Sequence, residues 1–222
     1  MTAGSASNPY ESTLRQGVSA LDLSLSDTQI AQLLGYHALI QKWNKVYNLT
    51  AIRDPAEMLT HHLLDSLAIV APLLRQTSGS EVNMLDVGAG AGLPGVVVAI
   101  CCPQISVTCV DAVAKKMAFV QQVATELKLP NLKALHARVE TLTDKFDIIT
   151  SRAFATLLDF VTGSRAALKP KTGVWLAMKA KDTAVEVAAL PADVEVFHVE
   201  QLSVPGLDAE RCIVWIRKTQ SV

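Results

Sequence analysis

Long uncharged apolar runs are missing from this chain. No stretch reaches the ~18 residues a membrane-spanning helix needs, so no span is expected. Met1 to Pro9 lacks the basic start and apolar stretch of a signal peptide, so a cytoplasmic location is expected. Cysteine is scarce as well. The four residues, Cys101, Cys102, Cys109 and Cys212, form no CxxC pair and sit among apolar neighbours. That pattern predicts buried free thiols rather than a disulfide framework or a metal centre. Internal repeats and low-complexity tracts are absent too. Half of the 222 residues are hydrophobic, enough for one α/β domain with a short N-terminal extension.

A strong overall charge is also lacking, since the net value is −1. The distribution is uneven, however. Lys115 to Lys181 holds 12 Lys or Arg against 5 Asp or Glu, a local +7 that leaves −8 for the remainder. Such asymmetry marks either one face that meets an anion or basic residues spread over solvated helices.

The N-terminal region reads as helical. Ser26 is placed to cap a helix carrying Ile30, Leu33, Leu34, His37, Ile40 and Trp43 at helical spacing. Asp54-Pro55 is a cap followed by proline at the first helical position, opening a helix with Met58, His61, His62, Leu64 and Asp65. From Val82 strands and helices alternate. Strands are expected to Val87, over Ile105–Asp111, near Leu132–Leu135, over Phe146–Thr150 and over Gly173–Met178. Helices are expected over Val96–Ile100, Lys115–Leu127, Ala155–Leu168 and, briefly, after Lys181. Val194–Val199 and Cys212–Ile216 then read as two successive strands. This order predicts a doubly wound, mainly parallel α/β sheet with an antiparallel hairpin at its C-terminal edge. Residues 1–80 form the expected helical extension and 81–222 the α/β domain, packed as one globular unit.

Asp86-Val87-Gly88-Ala89-Gly90-Ala91-Gly92 reads as a strand end turning into a ligand-cradling loop. A parallel sheet binds ligands beyond the carboxyl ends of its strands, and Gly88, Gly90 and Gly92 let backbone lie close to one. A GxGxxG does occur at Gly90, Gly92 and Gly95, but it starts too far past the strand for a dinucleotide site. The acid inside the strand end suits the sulfonium and ammonium groups of S-adenosylmethionine and would repel a pyrophosphate. Asp111, 25 residues on, is placed to accept ribose hydroxyls, which does not separate that cofactor from NAD. Each Asp also has a plainer reading as a loop or cap carboxylate.

After the fourth strand stands Ser151-Arg152-Ala153-Phe154, not the Asp/Asn-Pro-Pro-aromatic motif of amine methylation. Cys102, beside Pro103, lies too far back for cytosine C5 chemistry and reads as structural. An acceptor that is already nucleophilic remains. Guanine N7 carries an in-plane lone pair and no proton, so no general base is required. Alignment alone supplies up to ~7–11 kcal/mol in such reactions.

Tyr47 through Pro55, His62-Leu63-Leu64-Asp65-Ser66, Asp86 through Gly95, Arg138-Val139-Glu140 and Ser151 through Ala155 together resemble the glucose-inhibited division protein B family. The resemblance runs from about Trp43 to the C-terminus. It implies a Rossmann-like class I S-adenosylmethionine-dependent methyltransferase fold with a seven-stranded sheet. It also implies methylation of N7 of a guanine in the 530 loop of 16S rRNA, with naked RNA, the 30S subunit or an assembly intermediate all open as substrate; a monomer is sufficient and no metal is expected. S-adenosyl-L-homocysteine would be the product.

Residue by residue, the resemblance places Asp86, Gly88, Gly90, Gly92 and Leu93 at the cofactor loop and Asp111 on the ribose. Val139 and Glu140 would frame the adenine. Arg152 would sit at the junction of cofactor and base, where a guanidinium pairs with the methionine carboxylate or guides an RNA phosphate; a surface ion pair is its plainer reading. Asn48, His62 and Asp65, with Ser66, form either a base-pocket layer or a polar cluster tying the N-terminal helices down. His61, His62 and Asp65 could suggest metal ligands, but no further His or Cys joins them. Lys115, Lys116, Arg138 and Lys179 are candidate RNA contacts. Ala180 stands where the family usually has Gly, Ala112 and Lys116 replace Ser and Arg, and Ala89 and Ala91 replace Thr and Pro. A methyltransferase for another RNA or a small molecule, an NAD dehydrogenase and a non-catalytic RNA-binding protein are the competing readings.

Overall fold

The computed structural model describes residues 8–153, 156–180 and 183–219. Phe154, Ala155 and Lys181, all named above, lie outside the described residues. Among the described residues, five α-helices precede the sheet: α1 (Glu11–Ala20), α2 (Asp27–Tyr47), α3 (Pro55–Met58), α4 (Asp65–Leu67) and α5 (Val70–Thr77). Ser26 caps α2 through a capping box, accepting from the Gln29 N–H at 3.3 Å while Gln29 Oε1 accepts from the Ser26 N–H at 2.9 Å. Asp54 caps α3 by accepting from the N–H groups of Ala56 and Glu57 at 2.8 and 2.9 Å. Both caps are where the sequence puts them. α1 and α5 are additions that periodicity alone did not supply.

Between α3 and α4 the backbone departs from a regular helix. Leu59–Leu64 is a π-turn, in which the Asp65 N–H reaches back to the Thr60 carbonyl instead of that of His61. The His61 carbonyl is thereby released from the helical ladder.

The sheet has seven strands in the order β3-β2-β1-β4-β5-β7-β6. They are β1 (Val82–Val87), β2 (Ile105–Asp111), β3 (Leu132–His136), β4 (Ile148–Arg152), β5 (Val174–Ala180), β6 (Val194–Leu202) and β7 (Arg211–Lys218). β7 pairs antiparallel with both β5 and β6, and the other pairings are parallel, as the sequence predicts. The intervening helices are α6 (Gly95–Cys101), α7 (Ala114–Glu126), α8 (Leu157–Ser164) and α9 (Ala184–Ala188). Several boundaries move, β6 and β7 among them, which run longer than expected, over Val194–Leu202 and Arg211–Lys218. β4 starts at Ile148 because Phe146 makes only an isolated bridge to Leu168, and α8 starts at Leu157 because Thr156 caps it.

One apolar cluster runs from Leu14 and Leu33 through Met84 and Val97 to Trp215, so the N-terminal helices and the sheet share a core. Leu85, Ile149, Trp175 and Val214 pack on the other face beneath α8. All four cysteines are free and buried. Among the described residues no helix is long and apolar enough to cross a membrane.

Candidate functional site

β1 and β4 are parallel neighbours with Asp86 paired to Thr150, and the chain order reverses between them. Two residues beyond that pair stand Gly88 and Arg152. A ligand crevice is expected at this switch point, and a cavity opens on each side of it.

The first cavity, of about 220 Å³, is lined by Gly88, Asp111, Ala112, Arg138, Val139 and Glu140 with Val87, Val110 and Ala137. Gly88, Gly90 and Gly92 have φ of 65°, 59° and 90°. Gly88 is exposed, Gly90 half-buried and Gly92 buried. The need at Gly92 is internal: an added Cβ would lie 2.5 Å from Val96 Cγ2. Leu93 is likewise in the core and does not line the cavity.

Nearly every amide of this loop is already committed. Gly88 and Ala89 donate to the Val110 carbonyl, Gly92 and Leu93 to that of Ala89, and Val96 to that of Gly92. Gly90 donates to Asp111 Oδ2 at 3.0 Å and Gly95 to Asp86 Oδ2 at 2.8 Å. A dinucleotide pyrophosphate needs such amides free. The helix start here is satisfied by the chain's own carboxylates, which disfavours the NAD reading.

Asp86 thus has a role that the sequence did not give it. It is wholly buried under the loop, and neither its Oδ1 nor the Thr150 hydroxyl on the paired strand has a partner among the described residues. Burial pushes its carboxyl up to about 7, against the Gly95 N–H that favours the charged form. Asp111 accepts from Val113 as well, and Lys116 Nζ lies 3.6 Å away. Lys116 therefore serves the carboxylate at the first cavity, while Lys115 and Arg138 are exposed. From the extension, the buried Tyr36 hydroxyl donates to the Ala91 carbonyl at 2.7 Å and pins the loop from behind.

The second cavity, of about 370 Å³, lies at the ends of β4, β5 and β7 and is closed by the N-terminal extension. Its lining includes Ile52, His61, His62, Asp65, Arg152, Lys179 and Arg211. Arg152 Nη1 donates to Asp65 Oδ2 at 3.0 Å and to the His61 carbonyl, freed by the π-turn, at 2.7 Å. Arg211 Nε donates to Asp65 Oδ1 at 3.0 Å. One buried carboxylate thus holds two guanidiniums from strands far apart in sequence.

Arg152 Nη2 lies 3.4 Å from His62 Nδ1. The other ring nitrogen, Nε2, lies 2.8 Å from Thr50 Oγ1. Burial, then the Arg152 charge, lowers the His62 pKa to about 4, which keeps this imidazole neutral. Lys179 pairs with Glu186 at 2.7 Å. Asn48 does not join the cluster; it is the left-handed C-cap of α2, exposed on the surface. Ala153, next to Arg152, has φ +57°, a strained conformation for a residue with a Cβ. Among the described residues no His/Cys/Asp/Glu group suited to a metal occurs.

Arg211, Thr50 and the His61 carbonyl were missed by the sequence reading. The isolated Arg at the head of a strand gave no local signal, and the carbonyl is available only because of the π-turn.

The site thus consists of two cavities across a switch point, beside a glycine loop whose amides are satisfied internally. Residues 29–214 match the family described as GidB, rRNA small subunit methyltransferase G. The chain belongs to this family. It is 64% identical over 219 residues to a protein of Albidiferax ferrireducens named Ribosomal RNA small subunit methyltransferase G, covering 94% of this chain and 97% of that one. A Polaromonas protein of the same name is 65% identical over 211 residues, covering 93% of each chain. Among solved structures, a SAM-dependent methyltransferase from Aquifex aeolicus superposes with a TM-score of 0.56 at 15% identity, over 76% of this chain and 96% of that one. A Thermus thermophilus 16S rRNA N2 G1207 methyltransferase, in complex with AdoMet and guanosine, gives 0.52 at 19% identity, over 70% and 43% of the two chains. These last two establish the Rossmann-like methyltransferase fold.

Proposed function

We propose that this protein transfers a methyl group from S-adenosyl-L-methionine to N7 of a guanine in the 530 loop of 16S rRNA. The observation that carries the reading is the pair of cavities flanking Gly88 and Arg152, one shaped by backbone and carboxylates, the other by cations. The first fits an adenosine with a cationic tail. Asp111 is 8% exposed at its rim, Val139 offers an apolar wall, and no set of free amides invites a phosphate. Asp111, Gly88, Val139 and Glu140 would hold the cofactor, which when bound supplies an electrophilic methyl on a sulfonium.

The second cavity would receive the base, with His62 and Asp65 in its wall. Both are already committed within the wall: the two Asp65 oxygens accept from guanidiniums, and His62 Nε2 lies 2.8 Å from the Thr50 hydroxyl. Guanine N7 asks for no base, so positioning suffices. Lys115, Arg138 and their neighbours would meet RNA phosphates, with substrate in the 30S subunit or an assembly intermediate. We assign the protein to the cytoplasm as a monomer.

The test is direct. Purified enzyme and cofactor are added to 30S particles from a strain lacking this gene, followed by borohydride–aniline cleavage. A new cut in the 530 loop is expected; its absence, with methyl incorporated elsewhere, would assign another acceptor.

A further inference from the structure

Asp65 is buried, yet it carries one negative charge between two guanidiniums. Arg152, Arg211 and Lys179 line the second cavity with one carboxylate, Asp65, and Lys179 is also paired with Glu186. The side chains of Arg152 and Arg211 are 19% and 25% exposed, so water compensates the surplus only in part. A half-buried excess cation favours an incoming anion.

The donors that remain are defined. Arg211 uses Nε on Asp65 and Nη1 on the Glu210 carbonyl, at 3.0 Å each, which leaves Nη2 without a partner among the described residues. Arg152 uses Nη1 twice, and its Nη2 has only the long contact with His62. Each guanidinium therefore keeps N–H groups in a fixed orientation, set by the same carboxylate. Paired forks of this kind recognise a planar or tetrahedral oxyanion.

Two oxyanions are available to this site, the carboxylate of a cofactor and a phosphodiester of RNA. Position separates them. In the order β1-β4-β5-β7, Arg211 stands three strands from the glycine loop, about 14 Å at ~4.8 Å per strand. Arg152 is on the adjacent strand. A ligand seated over β1 to β3 approaches Arg152 but not Arg211.

We propose that Arg211, preset with Arg152 on Asp65, is a clamp for a phosphodiester of the RNA strand entering the second cavity. The proposal rests on the methyltransferase reading for its substrate. Its key measurement does not need methyl transfer.

The experiment compares the wild-type protein with Arg211→Gln and Arg211→Lys. Calorimetry reads S-adenosylmethionine binding, and fluorescence anisotropy reads a 530-loop RNA hairpin across a salt series, without cofactor. For Arg211→Gln we expect cofactor affinity within twofold of wild type and RNA binding weakened about 5–10-fold. The slope of log affinity against log salt should fall by about 1. Arg211→Lys should keep the slope and recover most of the affinity, which separates loss of charge from loss of fold. Weakened cofactor binding with unchanged RNA binding would assign the clamp to the cofactor carboxylate and overturn the proposal. A lowered melting temperature with both affinities unchanged would leave Arg211 a structural ion-pair partner and overturn it too. If RNA binds as expected but wild-type enzyme methylates no particle, the clamp stands and the enzymatic reading fails.

Discussion

The two cavities that flank Gly88 and Arg152 are made in opposite ways. The β1–β3 side is built from backbone: positive-φ glycines, amides tied to the Val110 and Ala89 carbonyls, and two carboxylates that brace the turn. The β4–β7 side is built from long side chains, with Asp65, Arg152 and Arg211 brought together across separations of 87 and 146 residues. A backbone-shaped site is rigid and local. A side-chain-shaped site depends on the N-terminal extension staying docked, because its one carboxylate comes from there. On the proposed function, cofactor binding and RNA recognition would rest on separate structural elements, which can be damaged separately.

The largest expected effect is on the side-chain half. Asp65→Ala leaves two guanidiniums facing each other without their carboxylate, and breaking such a pair costs about 3–5 kcal/mol. Thermal unfolding should move down by ~6–15 °C for a chain of this size. RNA binding should weaken because both guanidiniums lose their orientation, while cofactor affinity holds in protein kept below its melting point. Gly92→Ala is the mirror experiment. Its Cβ would meet Val96 and Val120 at φ +90°, a strain of about 1–3 kcal/mol. Here cofactor affinity should fall and RNA binding persist. If either variant impairs both ligands equally at a temperature where it is folded, the two halves are not independent.

A second way to sharpen the contrast is pH, because the halves titrate with opposite sign. His62 has a folded pKa of about 4, below the 6.5 of an unfolded chain. The unfolded state then binds the proton first, so this group removes stability as pH falls from 6.5 towards 4. Asp86, at about 7 when folded against 3.8 unfolded, does the reverse. The native state binds its proton first, so its contribution is present at low pH and is lost as pH rises from 3.8 through 7. Each effect is on the order of 3–4 kcal/mol, and in the wild type they largely offset between pH 4 and 6.5. Asp86→Asn should expose a melting temperature that drops on acidification; His62→Gln should expose one that rises. A wild-type-like profile in both variants would remove these two groups as the titrating pair.

This difference also decided what could be read from sequence. The glycine loop was legible because its requirements are local: a strand end, three glycines within five residues, and an acid at the end of the next strand. The caps Ser26 and Asp54 and the order of strands were legible for the same reason. The roles of Asp86 and Lys116 were not, since a carboxylate reads alike whether it faces a ligand or a Gly95 N–H, and a lysine alike whether it faces RNA or Asp111. His62, Asp65 and Arg152 were named through family resemblance. Arg211 was not, since its partner lies 146 residues away and nothing adjacent marks it. The π-turn escaped because helical spacing from Pro55 to Asp65 looks regular until the Asp65 N–H is traced to Thr60.

The smallest effect tests the boundary between the halves on two adjacent residues. Lys115 is exposed with no partner among the described residues, whereas Lys116, its side chain 30% exposed, places Nζ 3.6 Å from Asp111. A free lysine that neutralises an RNA phosphate releases about one counterion, so Lys115→Ala should lower the salt slope of RNA binding by about 1. Lys116→Ala should leave that slope alone, because its charge is already answered by a carboxylate. Solvent screens the Lys116–Asp111 pair, which keeps its worth near or below ~1 kcal/mol. Its removal should therefore change cofactor affinity by no more than about fivefold. Equal salt slopes for the two variants would mean that Lys116 leaves Asp111 when RNA arrives, and that the backbone-built half also reaches the nucleic acid.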